Sequence, residues 1–264
     1  MKKIFNILTI LISLISINYA QPEKQHCSIN FFGEQLNYKM KYLNMNVANL
    51  TFWVENNKHN LDTPEWELNL KAQSTGFATK LFKIDNNYKT YFKAENFLPL
   101  KSIKNINQKN IQHELVINFD QQIHQASIND SIFWTIPNPC YDYFTMLYFI
   151  RFQPWEKGDT LNFFLDSEYL ISKVKAFVMP ENKILKLPCG KFKTIKIQMN
   201  FQLVTKKKRQ WKTDIITNRL AKPGSKLNIW LSDDELRLPL KISYFQSLIN
   251  TKIILNSFSR RNLD

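Results

Sequence analysis

Short runs in which apolar and polar residues alternate dominate this chain. Two such runs meet near Leu43 and Asn44, and the first alternates Leu36, Tyr38 and Met40 with polar residues. Further alternating runs follow at short intervals: "EWELNLKAQS", "IDNNYKTYFKAE", "PLKSIKNI", "IQHELVINFD" and, after Gly158, "DTLNFFLD", "KFKTIKIQMNFQLV" and "KLNIWLS". A period of two predicts half-buried β-strands. The pattern predicts an all-β fold, an antiparallel meander curled into a barrel or half-barrel with one dry and one wet face.

One stretch departs from this alternation. "PCYDYFTMLYFIRF", residues 139–152, has no internal glycine or proline and carries apolar side chains in every direction around a helical axis. It predicts one short central apolar helix near 141–152, which must be buried because no side of it is polar. Asp142 in its first turn and Arg151 in its last would complement the helix dipole. A strand is the alternative, since aromatic residues also favour strands.

The first twenty residues have the layout of a secretory signal peptide, with Lys2 and Lys3 before an apolar run and Ala20 before the expected mature start at Gln21. The run is short for a membrane span and is interrupted by polar residues, which makes a retained anchor the alternative reading. We predict cleavage after Ala20, an N-terminal extension over 21–30, a single β-rich domain over 31–258 and a C-terminal tail over 259–264. No transmembrane segment is predicted in the mature chain.

Composition and charge narrow the range of possible binding partners. The chain is 44% hydrophobic and 14% aromatic, which is too rich for a disordered protein. Its formal net charge of +14 becomes +12 once Lys2 and Lys3 leave with the signal peptide. Export argues against nucleic acid as a binding partner and favours the anionic surface of the cell envelope. The basic run of Lys206, Lys207, Lys208 and Arg209 is the candidate contact with that surface, and a solvated loop is the alternative.

Three cysteines allow one intrachain disulfide, and Cys140 and Cys189, each just after a proline, are its candidate pair outside the cytoplasm. Three independent thiols are the alternative. No metal-ligand spacing joins these cysteines to the four histidines, His26, His59, His113 and His124, so no metal site is predicted. The chain also lacks a "GxSxG" motif and a phosphate-binding glycine loop. We therefore predict no catalytic residue and no cofactor.

The acidic stretch "NIWLSDDELRLPLKISY", residues 228–244, places Asp233 and Asp234 between two alternating runs. Aspartates are common at such corners because they accept hydrogen bonds from backbone N–H groups two residues on. We interpret it as a strand, a turn and a strand. Arg237 is then a local partner of the acids, and Pro239 marks a strand start, a bulge or an edge. A catalytic pair of carboxylates is the alternative.

Several stretches, in this order, resemble a family of exported bacterial proteins known as domain-of-unknown-function family 3108. They are "FFGEQLNYKMKY", "NVANLTF", "STGFATKLFKIDNNYKTYF", "LPLKSIKNI", "DYFTMLYFIR", "KGDTLNFFLD", "GKFKTIKI" and "IWLSDDELRLPLKI", and they span about Phe31 to Phe258. The resemblance implies an exported, mainly antiparallel β protein with a short central helix, and it makes the acidic turn a family marker. It implies no activity, and the cysteines at 140 and 189 and the "KKKR" run depart from the usual pattern.

Three candidate functions from different classes follow from these features. A curled sheet around an apolar interior could enclose a lipid-like or amphipathic ligand, with lysines at its mouth. The leading hypothesis is thus a periplasmic carrier module. In the alternative, the helix fills the interior and the protein acts through its surface as a non-catalytic envelope protein. An uncharacterised hydrolase is the third.

Overall fold

A computed structural model describes Phe31 and residues 33–57, 65–205, 209, 211–217, 224–246 and 249–260. The predicted signal peptide, the extension and Cys27 lie outside these residues. The strands are β1 (Gln35–Tyr42), β2 (Met45–Asn57), β3 (Glu65–Ser74), β4 (Asp85–Lys93), β5 (Pro99–Gln108), β6 (Ile111–Asp120), β7 (Gln125–Ile128), β8 (Ile132–Thr135), β9 (Cys140–Tyr141), β10 (Thr160–Asp166), β11 (Ile171–Leu187), β12 (Gly190–Leu203), β13 (Lys226–Ser232), β14 (Pro239–Gln246) and β15 (Ile249–Ser259). The helices are α1 (Phe77–Leu81) and α2 (Tyr143–Arg151).

All fifteen strands form one sheet in the order β8-β7-β6-β5-β4-β3-β2-β1-β15-β14-β13-β12-β11-β10-β9. Neighbours pair antiparallel except β9 and β10, which are parallel. The sheet is therefore a meander, as predicted, and its two edge strands, β8 and β9, follow each other in the chain. They are not paired as strands, so the barrel stays open.

Hydrogen bonds of side chains join the turn between β6 and β7 to the edge strand β9 and to the residues before it. The amide of Gln121 accepts from the backbone N–H of Cys140 at 3.2 Å and donates to its carbonyl at 2.8 Å. Asn138 donates to the carbonyl of Gln121 at 3.0 Å. A glutamine amide has the same donor and acceptor as a peptide group. Gln121 therefore forms with the backbone of Cys140 the two hydrogen bonds that a residue of a neighbouring strand would form.

The alternating pattern explains the core. In β1 and β4 every second residue is buried, and these residues face the inside of the curled sheet. Inside lies α2, all nine residues of which are buried. Its Phe144 packs against Tyr88 of β4 with ring centroids 5.3 Å apart, and Phe149 stacks on Tyr141 at 4.2 Å. The predicted buried central helix is confirmed and runs from Tyr143 to Arg151.

Four short elements were not predicted from the sequence: α1, β7, β8 and β9. Each has two to five residues, which is less than a periodic pattern needs to be recognised. None of the residues of α1 is buried. Within the described residues, no helix is both long and apolar enough to cross a bilayer.

Candidate functional site

Arg151 and Glu34 form an ion pair inside the protein at the C-terminal end of α2. Nη1 and Nη2 of Arg151 donate to the two carboxylate oxygens of Glu34 at 2.7 and 2.9 Å, and the Tyr148 hydroxyl donates to the same carboxylate at 3.0 Å. The arginine side chain is 0% exposed and the glutamate 3%. Guanidinium and carboxylate bind most specifically in this two-bonded geometry. Because Glu34 directly precedes β1, the pair ties the end of α2 to the first strand.

The acidic stretch lies in the connection between β13 and β14 and covers this ion pair. One carboxylate oxygen of Asp234 accepts from the backbone N–H groups of Leu236 and Arg237 at 3.1 and 3.2 Å. The carbonyls of Leu236 and Arg237 accept from the Arg151 guanidinium at 3.2 and 3.1 Å. Asp233 is exposed and pairs with Arg237 at 3.3 Å. Asp234 thus orients two carbonyl groups that bind the buried cation.

Glu34 and Arg151 shift each other's pKa. Burial alone would raise the pKa of Glu34, but the charge of Arg151 and the hydrogen bonds from Arg151 and Tyr148 outweigh it and keep that pKa below its usual value of 4.5. Burial alone would lower the pKa of Arg151, and Glu34 raises it above the usual value instead. Glu34 therefore stays ionised inside the protein because Arg151 is there, and Glu34 in turn compensates the buried charge of the guanidinium, which is always protonated.

Asp142 fixes the opposite end of α2 as its N-cap. One of its carboxylate oxygens accepts from the backbone N–H groups of Phe144 and Thr145 at 3.0 and 2.7 Å. The Thr145 hydroxyl accepts in turn from the backbone N–H of Asp142 at 3.1 Å, which completes a capping box. The other carboxylate oxygen accepts from Thr90 at 3.0 Å and from Ser102 at 2.5 Å. The cap therefore also anchors α2 to β4 and β5.

A second buried charge cluster surrounds Lys104 of β5. Its Nζ lies 2.5 Å from the carboxylate of Glu168, 3.7 Å from that of Asp214 and 3.1 Å from the hydroxyl of Thr217. These three charged side chains are at most 4% exposed. Burial alone would lower the pKa of Lys104, but Glu168 and Asp214 outweigh it and raise that pKa. The cluster holds residues 211–217 against the inner face of the sheet.

Asp166, at the end of β10, is buried beside this cluster. It accepts from the indole N–H of Trp134 at 2.8 Å and from the backbone N–H of Tyr169 at 2.9 Å, which are both neutral groups. Burial raises the pKa of Asp166 from 3.8 to about 7. The nearby Cys140 thiol is also buried, and burial together with Asp166 raises its pKa well above 9.0. The thiol is therefore protonated at neutral pH and is a poor nucleophile.

The Asp166 carboxyl should make stability depend on pH between about 4 and 7. In the unfolded chain it ionises near 3.8, whereas the folded protein keeps its proton up to about pH 7. In this window the folded state binds more protons, so raising the pH destabilises it by up to about 1.4 kcal/mol per pH unit. Urea denaturation of wild type and Asp166→Asn across this range should show a smaller fall for the variant. The exposed Asp130→Asn is the matched control, and parallel curves for wild type and Asp166→Asn would contradict the assignment.

The predicted basic contact is only partly described. Lys206, Lys207 and Lys208 lie outside the described residues. Arg209 is 9% exposed; it donates to the carbonyl of Glu168 at 3.2 Å and to that of Ser167, and its Nε lies 3.7 Å from the Glu168 carboxylate. Arg209 therefore faces the buried Lys104 cluster and not the solvent, because Glu168 attracts its charge.

The structure does not form the predicted disulfide between Cys140 and Cys189. Both are free thiols. Cys140 is buried in the edge strand β9, whereas Cys189 lies in the hairpin between β11 and β12, with its Sγ 3.9 Å from the carbonyl of Leu255 on β15. The sequence placed both after prolines at element boundaries, but these boundaries belong to different parts of the sheet.

Sequence reasoning did not identify Glu34, Lys104, Glu168 or Asp214. One signal for Lys104 was present in "KSIKNI". Ser102, Lys104 and Ile106 share the parity that places side chains inside, and all three are buried. A lysine at an inward position needs a buried partner, which is a recognisable sign of an internal ion pair.

The cavities among the described residues include two that bear on ligand binding. One, of about 10 Å³, is bounded by Lys104, Asp142, Asp166 and Glu168 and has room for about one water molecule. The other, of about 250 Å³, lies at the surface beside Trp155 and is smaller than the roughly 300–1,000 Å³ of typical ligand sites. Within the described part of the chain, no group of three or more His, Cys, Asp or Glu residues is arranged to hold a metal ion.

Comparison with solved structures agrees with this fold. The chain is similar to the crystal structure of a beta-barrel-like protein of domain of unknown function DUF1849 from Brucella abortus, with a TM-score of 0.55 and 7% identity over 88% of this chain and 99% of that one. It also matches a "putative lipoprotein" from Parabacteroides distasonis and a "putative exported protein" with a YmcC-like fold from Bacteroides fragilis. Both have a TM-score of 0.35 and 11% identity, over 86% and 87% of this chain and 95% and 96% of theirs.

At these identities the first likeness shows the shared beta-barrel-like fold alone. Comparison with curated protein sequences gives no match. The profile of the family DUF3108, described as "Protein of unknown function", matches residues 37–253. This range includes the strands β2 to β14, α2 and the acidic turn that covers Arg151. The chain therefore belongs to the DUF3108 family of proteins of unknown function.

Proposed function

We propose that this protein is exported to the cell envelope and acts there through its surface as a non-catalytic interaction protein. The observation that carries the proposal is α2, which is buried at every residue and occupies the inside of the curled sheet. A carrier of the same architecture would need that volume for its ligand. The signal-peptide layout of residues 1–20 supports export.

The contacts of α2 favour a fixed helix over a movable lid. Asp142 anchors its start to β4 and β5, and Arg151 anchors its end to Glu34 and to the turn before β14. Moving the helix out would separate Arg151 and Glu34, and separating a buried pair costs about 3–5 kcal/mol. A lipid-like ligand would have to repay this free energy in addition to binding. The rigid, filled interior therefore favours the surface function over the carrier.

Native mass spectrometry of the protein purified from its own envelope fraction tests this proposal. The expected spectrum shows the mass of the chain from Gln21 onward with no bound lipid. A lipid carrier sprayed under the same conditions is the control that shows that complexes survive. A stoichiometric lipid adduct would overturn the surface function in favour of the carrier, and the mass of an uncleaved chain would show that the signal segment is retained.

A further inference from the structure

Three connections between strands and the adjoining ends of β14 and β15 line up along one end of the sheet. In the order β6-β5-β4-β3-β2-β1-β15-β14, the antiparallel pairing places the connections β5–β6, β3–β4 and β1–β2 in one row with the end of β14 and the start of β15. Hydrogen bonds join neighbours: Lys109 N–H donates to the carbonyl of Lys83 at 3.2 Å, Thr75 N–H donates to that of Val47 at 3.0 Å, and Lys252 donates to the side chain of Asn44 at 3.1 Å. We call this end the apolar rim.

Large apolar side chains are exposed along this rim. Six of them are between 46 and 72% exposed: Leu43, Met45, Phe77, Leu81, Phe82 and Phe245. Single exposed apolar residues are ordinary, but six along one end are a patch of the kind that marks a contact site. Phe77 and Leu81 belong to α1, Phe82 is the C-cap of that helix, and Leu43 lies in the turn after β1. None of the residues of α1 is fully buried, so the fold of this chain gains little from the burial of this helix.

The charges beside the apolar side chains are almost all positive. Residues 41–46, 73–85, 107–111 and 249–252 contain five lysines and one acid, Asp85, whose carboxylate accepts from Gln73 at 3.0 Å. The opposite end of the sheet is mixed, since its connections carry Glu95, Asp120, Glu156 and the acidic turn at 233–235. The rim thus combines apolar tips with a positive field, and its partner should be anionic.

We propose that the apolar rim docks on the surface of an anionic phospholipid bilayer. Its apolar side chains enter the headgroup region, while Lys80, Lys83 and Lys109 meet lipid phosphates. The exposed side chains belong to separate elements, namely the turn after β1, the start of β2, α1 with its C-cap and the end of β14, which suits a fluid surface better than a shaped protein epitope. Combined apolar insertion and attraction of lysines is the physical basis of peripheral membrane binding. This rests on the proposed function and names the partner of that surface.

Flotation with vesicles tests the proposal on the protein purified from its own envelope fraction, expected to begin at Gln21, so that the apolar run of residues 1–20 does not contribute to binding. We expect binding to phosphatidylcholine vesicles that contain phosphatidylglycerol and little binding to phosphatidylcholine alone, with a loss at high salt as charges are screened. Phe77→Ser with Phe82→Ser should weaken binding tenfold or more, by about the worth of one buried apolar side chain. Lys80→Glu with Lys83→Glu should weaken it by at least about fivefold for each lysine.

Matched controls are available on this chain. Phe133→Ser with Ile184→Ser removes apolar side chains of equal exposure away from the rim, and Lys186→Glu with Lys191→Glu reverses two lysines at the far hairpin. Both should bind vesicles like wild type, and thermal unfolding checks that all variants fold. Absence of vesicle binding at low salt, or equal losses in rim and control variants, overturns the proposal.

These experiments also distinguish a failure of bilayer binding from a failure of the proposed function. Rim variants that lose a crosslinked protein partner, in a protein that does not float with vesicles, would leave a surface function standing and reject the bilayer as partner. Vesicle binding together with a stoichiometric lipid adduct in native mass spectrometry would support bilayer docking by the apolar rim. It would contradict the proposal that α2 leaves no room for a ligand.

Discussion

Arg151→Met should lower the free energy of unfolding by about 3–5 kcal/mol, because it leaves the Glu34 carboxylate buried without its cation. The loss is large since four donor contacts disappear together: two to Glu34 and one each to the carbonyls of Leu236 and Arg237. The substitution also removes the guanidinium from the Tyr148 and Phe152 rings, whose centroids lie 4.8 and 5.0 Å from Arg151 Cζ. Urea denaturation followed by tryptophan fluorescence measures the change in midpoint and slope.

Arg237→Met is the matched control for this prediction. Arg237 lies in the turn that covers Arg151, but its ion pair with Asp233 is at the surface, and the Asp233 side chain is 48% exposed. An exposed pair contributes at most about 1 kcal/mol, so this variant should remain close to wild type. The double variant Glu34→Gln with Arg151→Met removes both charges and should be more stable than Arg151→Met alone. Equal losses for Arg151→Met and Arg237→Met would show that the buried pair is not the anchor of α2.

Lys104→Met should lower the free energy of unfolding by a similar amount, about 3–5 kcal/mol. The reason is that it leaves two buried carboxylates, Glu168 and Asp214, without their shared cation. Arg209, whose Nε lies 3.7 Å from the Glu168 carboxylate, is then one cation beside two carboxylates, so the cluster keeps an uncompensated charge. The segment 211–217, which Asp214 ties to Lys104, should become accessible. Limited proteolysis and urea denaturation together measure the local and the global effect.

Lys101→Met, on the same strand, is the control for Lys104→Met. Lys101 has the opposite parity in β5 and is only half-buried, so its replacement should change stability by no more than about 0.5 kcal/mol. If Lys104→Met is as stable as Lys101→Met and residues 211–217 resist protease equally, then Lys104 does not hold this segment.

The strands could be predicted from the sequence because their signal is local. The runs "EWELNLKAQS" and "IQHELVINFD" coincide with β3 and β6 to the residue. Each contains its own alternation of apolar and polar positions, and a strand with one buried face needs no other information. The same holds for α2, since a segment that is apolar on every side can only be a buried element.

The charge clusters could not be predicted, because their members are far apart in the chain. Glu34 and Arg151 are separated by 117 residues, and Lys104 and Glu168 by 64. Nothing in the residues around Glu34 shows that its carboxylate meets a guanidinium. The prediction of a disulfide between Cys140 and Cys189 was wrong for the same reason. A position after a proline does not show which strand lies opposite.

The sequence by itself determined a curled antiparallel sheet and one helix that must be buried, since both follow from the periodicity of apolar residues. Only the tertiary structure decided what fills the sheet. A half-barrel can enclose a ligand or its own helix, and the choice depends on whether Asp142 and Arg151 find buried partners that hold α2 inside. Those partners come from β4, β5, the residue before β1 and the turn before β14. Buried charges are stable only when such distant groups meet, and that meeting is a property of the folded chain.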